Sequence, residues 1–324
     1  METSVMLAED DSPPLAVNRC HQGDALELAK RLPDSSIHCI VTSPPYWNAR
    51  DYGVPGQIGL EKSPQDYVER LVVVFGELHR ALRDDGTLWL NLGDTYAGHY
   101  GSRFTRTSIN GVMSDSDAEP VQYEHGLAAK NLLGLPWRIA FALQRAGWIL
   151  RADIIWHKVY CAPESVKDRP SKKHEYLFML AKSKRYHYDF DAIAEPLSAS
   201  TIKRYQTGWH GNACRDYPGG RQNRYGSFMG SERAQQRTMK NKGSVWSIPV
   251  QPSRSGHCAA FPPALVEPCI LAGCPRGGIV LDPFAGSGTT LEVAAQHGRL
   301  WMGFEINPAY VRIAEDRLAK PQLS

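Results

Sequence analysis

Two short stretches of this 324-residue chain concentrate side chains able to do chemistry. The first, Thr42-Ser43-Pro44-Pro45-Tyr46-Trp47, follows directly on the apolar run Ile37-His38-Cys39-Ile40-Val41. Neither proline can donate to a sheet ladder, so a strand ends there in a rigid corner. That corner carries a hydroxyl and two aromatic rings. The second stretch, residues 279–290, reads IVLDPFAGSGTT: a β-branched strand, an acid, then glycines opening a helix.

Glycines in such a loop let a ligand approach the backbone and leave helix N–H groups free. A nucleoside triphosphate wants a lysine after the second glycine, and none is present. A dinucleotide wants G-x-G-x-x-G, but Leu291 stands where the third glycine would be. A nucleoside without phosphates fits best, and S-adenosylmethionine is the candidate. Its amino acid end needs acceptors, of which Asp282 is one. Glu305 closes the next strand (LWMGFE), where a carboxylate can take both ribose hydroxyls. Gly286, Ser287, Gly288 and Thr289 form the loop, and Phe284 offers an apolar contact to the cofactor. Asp24, after Gly23 at another strand end, is either an acceptor for the adenine amine or a helix N-cap.

The elements that must carry these residues alternate. Strands are expected at 18–21, 37–42, 87–92, 149–156, 175–181, 278–281 and 300–305. Helices are expected at 25–32, 64–83, 136–146, 289–296 and 310–318. For the helix at 64–83, Ser63 is an N-cap candidate and Pro64 fits the first position. Strands separated by helices predict a parallel, doubly wound α/β sheet. If the strands at 278–281 and 300–305 precede those at 18–21 and 37–42 in space, one continuous βαβ run results. Ligands in such folds sit beyond the carboxyl ends of the strands. The glycine loop, Glu305, Asp24 and the Ser43 corner therefore face one crevice. Residues 1–17 read as a disordered tail and 94–126 as a mobile loop.

Bulk properties bound the rest. A formal net charge of +3 names no partner. Seven scattered cysteines without a CxxC pair argue against a disulfide framework and a structural zinc. The acidic N-terminus lacks a signal-peptide core and no apolar run is long enough to span a bilayer, so a cytoplasmic protein is expected. Residues 198–245 are different. They hold nine lysines and arginines against Asp216 and Glu232, interleaved with Tyr205, Trp209, Tyr217, Tyr225 and Phe228. Such a run is commonly a solvated loop.

A strand ending in S-P-P-Y and another ending in D-P-F-x-G-S-G-T-T resemble the DNA amino-methyltransferases, which modify exocyclic amines. Catalytic motif first, cofactor motif last and a basic insert between them resemble the beta, circularly permuted, group. Further similar segments are GDALELAKRLPDSSIHCIVTSPPYW, ADIIWHK, ESVKDRPSKKHEYLFMLAKS and SGHCAAFPPALVEPCI, so the likeness covers most of the chain. It implies a Rossmann-like, circularly permuted methyltransferase fold with a mixed seven-stranded sheet. A catalytic part would span 18–197, a DNA target-recognition insert 198–245 and a cofactor-binding part 246–324. S-P-P-Y is more typical of members making N4-methylcytosine; D-P-P-Y or N-P-P-Y is usual for adenine-N6.

The resemblance implies double-stranded DNA as substrate, and a cognate restriction endonuclease as a partner of many such enzymes. Monomer and homodimer both remain open. Ser43 Oγ and the Pro44 carbonyl are then acceptors for the amine, with Pro45 fixing the corner. Aligning amine and sulfonium methyl is worth about 7–11 kcal/mol in good cases, and no metal is required. The base must leave the duplex. Tyr46 can stack on it, worth about 1–3 kcal/mol, and Trp47 can wall the pocket. Core packing is the competing role for both rings. Arg221, Arg224, Arg233 and Arg237 are candidates for DNA contacts, while Phe261 and His257 can close over the methionine end. A C5-cytosine enzyme would need a cysteine nucleophile. Pro268-Cys269 offers one, but within an apolar helical pattern that suits the core. A binding protein without catalysis could carry the basic run, yet would not need both motifs.

Overall fold

The computed structural model describes residues 13–97, 126–161, 164–207, 238–250 and 261–319. They divide into two compact units, one of residues 1–188 with 244–324 and the other of residues 189–243. The larger is built on an eight-stranded sheet.

The first strand, β1 (Arg19–Gln22), leads through Asp24 into α1 (Ala25–Lys30), and β2 (Ile37–Thr42) follows. The long α2 (Pro64–Ala81) starts as its sequence dictates: Ser63 is extended, its side chain accepts from Asp66 N, and Pro64 occupies the first turn. Tyr67, Leu71, Val74, Phe75 and Leu78 repeat at helical spacing, and that face is buried against the sheet. Next comes β3 (Leu82–Leu92), then α3 (Leu135–Arg145), β4 (Ile149–Val159) and β5 (His174–Ala181).

The smaller unit follows in the chain. There β6 (Glu195–Pro196) pairs antiparallel with β7 (Met239–Lys240), and α4 (Ala199–Thr207) lies between them in sequence. Lys240 and Lys242 both reach the Glu195 carboxylate. The chain then returns to the larger unit as β8 (Val245–Pro249), α5 (Pro263–Gly273), β9 (Ile279–Asp282), α6 (Thr289–Gln296), β10 (Leu300–Glu305) and α7 (Pro308–Ala319).

Strand order is β1-β10-β9-β2-β3-β5-β4-β8. The first five run parallel, β5 is antiparallel to both β3 and β4, and β8 is parallel to β4. The strands late in the chain, β9 and β10, thus lie between β1 and β2, which is the permuted arrangement. The expected seven strands are all present, and the correction is an eighth. β8 adds at the edge, with Trp156 paired to Trp246, and Trp156 Nε1 donates to the Ile248 carbonyl at 3.0 Å. The turn expected at 84–86 survives inside β3 as an excursion: β2 advances from 37 to 39 while β3 advances from 82 to 87.

Arg221, Arg224, Arg233 and Arg237 lie outside the described residues, as do most of 94–126 and most of the expected tail. No helix among the described residues is long and apolar enough to cross a membrane.

Candidate active site

A cavity of about 400 Å³ opens at the carboxyl ends of β1, β2, β9 and β10, all within the larger unit. Its walls include Asp24, Ser43, Pro44, Pro45, Tyr46, Asp282, Phe284, Gly286, Ser287, Thr289 and Glu305. The two sequence motifs therefore meet in one space. A direct bridge joins them: Thr42 Oγ1 donates to Asp282 Oδ1 at 2.6 Å, across 240 residues of chain.

At the glycine end, Gly286 and Gly288 both have left-handed backbones, with φ of 51° and 80°. A Cβ on Gly288 would also lie 2.9 Å from Ala314 Cβ of α7, whereas one on Gly286 would meet nothing. Gly286 thus leaves open space beside a ligand, while Gly288 is fixed by packing. Gly288 is the N-cap of α6 and not itself among the cavity's walls. Glu305 Oε2 accepts from Gly286 N and Oε1 from Asn307 N, both at 2.8 Å. Burial pushes its carboxyl up to about 7, against those two hydrogen bonds. Asp282 is more committed. Oδ1 takes Thr42 and Phe284 N, Oδ2 takes Thr290 Oγ1, and burial pushes its carboxyl up to about 6. It secures the loop to β2 and keeps one acceptor position on Oδ2 for a ligand.

Asp24 fills both of its expected roles geometrically. Oδ1 caps α1 through Leu26 N at 2.9 Å and Glu27 N at 3.2 Å, while the residue lines the cavity. Tyr52 and Tyr310 meet edge to face at 6.2 Å and line the cavity with Glu305. The segment carrying Tyr52 is folded around Gln57, whose side chain accepts from Tyr52 N and donates to the Arg50 carbonyl. This end is acidic, aromatic and without a lysine among its walls. The donor set suits a nucleoside with a cationic tail and does not suit a phosphate.

The other end is a polar chain. Tyr46 OH donates to Glu175 Oε2 at 2.9 Å, and Ser43 Oγ donates to Tyr46 OH at 3.3 Å. Asn91 Nδ2 donates to Glu175 Oε2 at 2.8 Å and to Tyr46 OH at 2.7 Å. Lys158 Nζ pairs with Glu175 Oε1. Burial, then the Glu175 charge, raises the Tyr46 phenol well above its ordinary range, so it stays a donor. Tyr67 OH holds the Pro45 carbonyl at 2.8 Å, whereas no described residue takes the Pro44 carbonyl. Phe261 lines the cavity as expected, and His257 lies outside the described residues.

One expectation is corrected. Trp47 is not a pocket wall or DNA contact but core, 3% exposed, with its indole N–H donated to the Glu61 carbonyl at 2.9 Å. The ring turns inward because it follows the proline corner and packs beneath it. Cys269 is likewise fully buried in α5, its thiol donating to the Leu265 carbonyl. Four contributors escape the sequence reading: Asn91, Lys158, Glu175 and Gly93. A Cβ on Gly93 would lie 2.6 Å from Tyr46 Cε2, so the ring occupies the space a side chain would need. ADIIWHK and HEYLF mark the two strands that bring Lys158 and Glu175, without assigning either residue a task.

Fold and site together define a doubly wound α/β protein with a nucleoside-type strand end beside a second, polar compartment. A family profile for N6/N4 DNA methylases matches residues 37–316. M.Cfr9I of Citrobacter freundii, a type II methyltransferase, is 41% identical over 326 residues, covering 97% of this chain and 96% of its own. The chain belongs to the N6/N4 DNA methylase family. Among solved structures, PvuII DNA methyltransferase (cytosine-N4-specific) superposes with a TM-score of 0.63 at 19% identity, covering 96% of this chain and 89% of its own. A DNA modification methylase of Thermus thermophilus, TTHA0409, complexed with S-adenosyl-L-methionine, gives 0.56 at 24% identity, with 93% of each chain covered. Both likenesses establish the α/β methyltransferase fold.

Proposed function

We propose that the protein transfers a methyl group from S-adenosylmethionine to the N4 amine of a cytosine flipped out of duplex DNA. The observation that carries this reading is the shared cavity, with Glu305 and the glycine loop at one end and the Ser43–Tyr46 corner at the other. S-adenosylmethionine supplies, when bound, a methyl group activated by its sulfonium. Glu305 accepts from the ribose hydroxyls, Asp24 faces the adenine amine, and Asp282 with Ser287 and Thr289 receives the amino acid end. Phe284 gives an apolar wall.

The amine of cytosine is a weak nucleophile because its lone pair is delocalised into the ring. Polarity at the acceptor end favours its activation. Tyr46 spends its proton on Glu175, so the Ser43 proton turns to the Tyr46 oxygen. A lone pair of Ser43 Oγ is left for one amine hydrogen, and the Pro44 carbonyl can take the other. Two acceptors on the N–H groups hold the nitrogen in line and favour a more tetrahedral geometry. The proton shed after transfer has a hydrogen-bonded exit through Ser43 and Tyr46 toward Glu175. Tyr46 also offers a face for stacking.

Cytosine is preferred over adenine because Ser43, not an aspartate or asparagine, opens the motif. Adenine-N6 transfer is the second reading, since the family includes both amines. Residues 198–245, with Arg221, Arg224, Arg233 and Arg237, contact DNA and supply target recognition. A cognate restriction endonuclease and a cytoplasmic, nucleoid-associated location fit a type II modification enzyme. Incubation with plasmid DNA and S-adenosylmethionine carrying a labelled methyl, followed by digestion to nucleosides, should yield labelled N4-methylcytosine. Label in N6-methyladenine or 5-methylcytosine would refute the assignment.

A further inference from the structure

Three adjacent strands deliver the polar groups at the acceptor end. Asn91 comes from β3, Glu175 from β5, and Trp156 and Lys158 from β4. Trp156 pairs with Glu175 in the ladder, and Lys158 lies two residues on, so all three project from one face. The carboxylate of Glu175 is committed. Oε1 takes Lys158, and Oε2 takes Tyr46 and Asn91. Glu175 therefore organises its neighbours and has little capacity left for a substrate.

Lys158 is in the opposite position. Its ammonium has three hydrogens, one of which goes to Glu175. It also lies 4.7 Å from the Trp156 ring centre, which holds the charge over an aromatic face. No second hydrogen-bond acceptor meets it among the described residues. A partly buried cation in a ligand cavity, with unspent donors, calls for acceptors on the ligand. Asn91 adds a second sign of incompleteness: the residue is 3% exposed, and its Oδ1 has no partner among the described residues. Its amide orientation is set by chemistry, because the nitrogen must face the carboxylate.

We infer that Lys158, steered by Glu175, reads the ring edge beside the target amine and so selects cytosine. This inference rests on the methyl-transfer reading given above. With the amine held at Ser43, the cytosine edge continues as two acceptors, N3 and O2, and a single ammonium can donate to both. Adenine offers N1 followed by a C–H, and thymine offers an N–H donor that a cation repels. Lys158 thereby acts as a specificity-determining contact, while Glu175 is a positioning residue.

The test uses full-length protein and a duplex bearing the target site mapped from the plasmid experiment. The target base is either cytosine or 3-deazacytosine, in which the ring nitrogen is replaced by C–H. Wild-type kcat/KM should fall about 10- to 100-fold on the analogue, the range for a hydrogen bond to a charged group. Lys158→Met should be slower on cytosine and lose the discrimination, treating the two bases alike within about twofold. Lys158→Arg should recover part of it. Affinity for S-adenosylhomocysteine by calorimetry should stay unchanged in both variants, a readout that general misfolding would move. Lys158→Met retaining the wild-type ratio would overturn the inference. So would a wild-type enzyme indifferent to the analogue, which needs no variant at all. Absence of N4-methylcytosine from the plasmid digest would instead overturn the function on which it rests.

Discussion

Gly93→Ala is the smallest change that should separate the acceptor base from the cofactor. The added Cβ would lie 2.6 Å from Tyr46 Cε2, 3.1 Å from Cδ2 and 3.3 Å from Glu175 Oε1. Ordinary carbon contacts start near about 3.5 Å, so the ring must retreat by about 1 Å. It cannot do so freely. Its hydroxyl is tied to Glu175 and Asn91, and the corner beneath it is fixed by two prolines and by Tyr67 on the Pro45 carbonyl. Overpacking of this kind costs about 1–3 kcal/mol of stability. A misplacement of about 1 Å at the reacting centre costs up to about 100-fold in rate. We expect kcat to fall about 10- to 100-fold, with S-adenosylhomocysteine affinity within about twofold of wild type, because the glycine end is untouched. Methyl transfer to plasmid DNA and calorimetry give the two numbers. A Gly93→Ala enzyme with wild-type turnover would refute the view that the Tyr46 ring is held in register with the base.

Two further outcomes follow from the same geometry. Burial raises the Glu305 carboxyl from 4.5 to about 7. Native protein therefore holds this proton more tightly than unfolded protein, so the group's contribution to stability falls as pH rises between those values. Ligand affinity moves the other way: S-adenosylhomocysteine, whose ribose donates to an ionised carboxylate, should bind about tenfold tighter at pH 8 than at pH 6. Calorimetry should find that dependence flattened in Glu305→Gln; an unchanged slope would place the titration elsewhere. Cys269→Ala should leave methyl transfer intact while lowering the melting temperature, since a buried side chain is truncated. Abolished transfer would point to a thiol nucleophile and against the amine reading.

Much of this arrangement was legible in the chain because the signals are local. Pro44-Pro45 ends a strand wherever it lies, and the strand–acid–glycine–helix pattern around Asp282 needs no partner to be recognised. Joining the two motifs required only the rule that ligands sit at strand carboxyl ends. What could not be read was supplied by pairing. Asn91 in WLNL and Glu175 in HEYLF look like ordinary strand polar residues, and only the β3-β5-β4 ladder brings them to Tyr46. Trp47 was ambiguous for the same reason, because a ring beside a cavity and a ring beneath it have identical sequence contexts. The strand β8 follows a glycine-rich basic run, and its five residues gain meaning only against the β4 edge.

The position of β9 between β1 and β2 also has a bearing on how the chain is made. Residues 37–42 leave the ribosome long before residues 279–282, which cover one of their two edges. For most of synthesis β2 has only β3 beside it, and its other edge is an open template for pairing. Contacts this distant in sequence slow folding. Nor can the cavity bind its ligand until Glu305 has emerged. A nascent chain thus carries the base-handling corner for many seconds without the means to methylate, and chaperone protection of that bare edge sets a limit on how fast active enzyme accumulates.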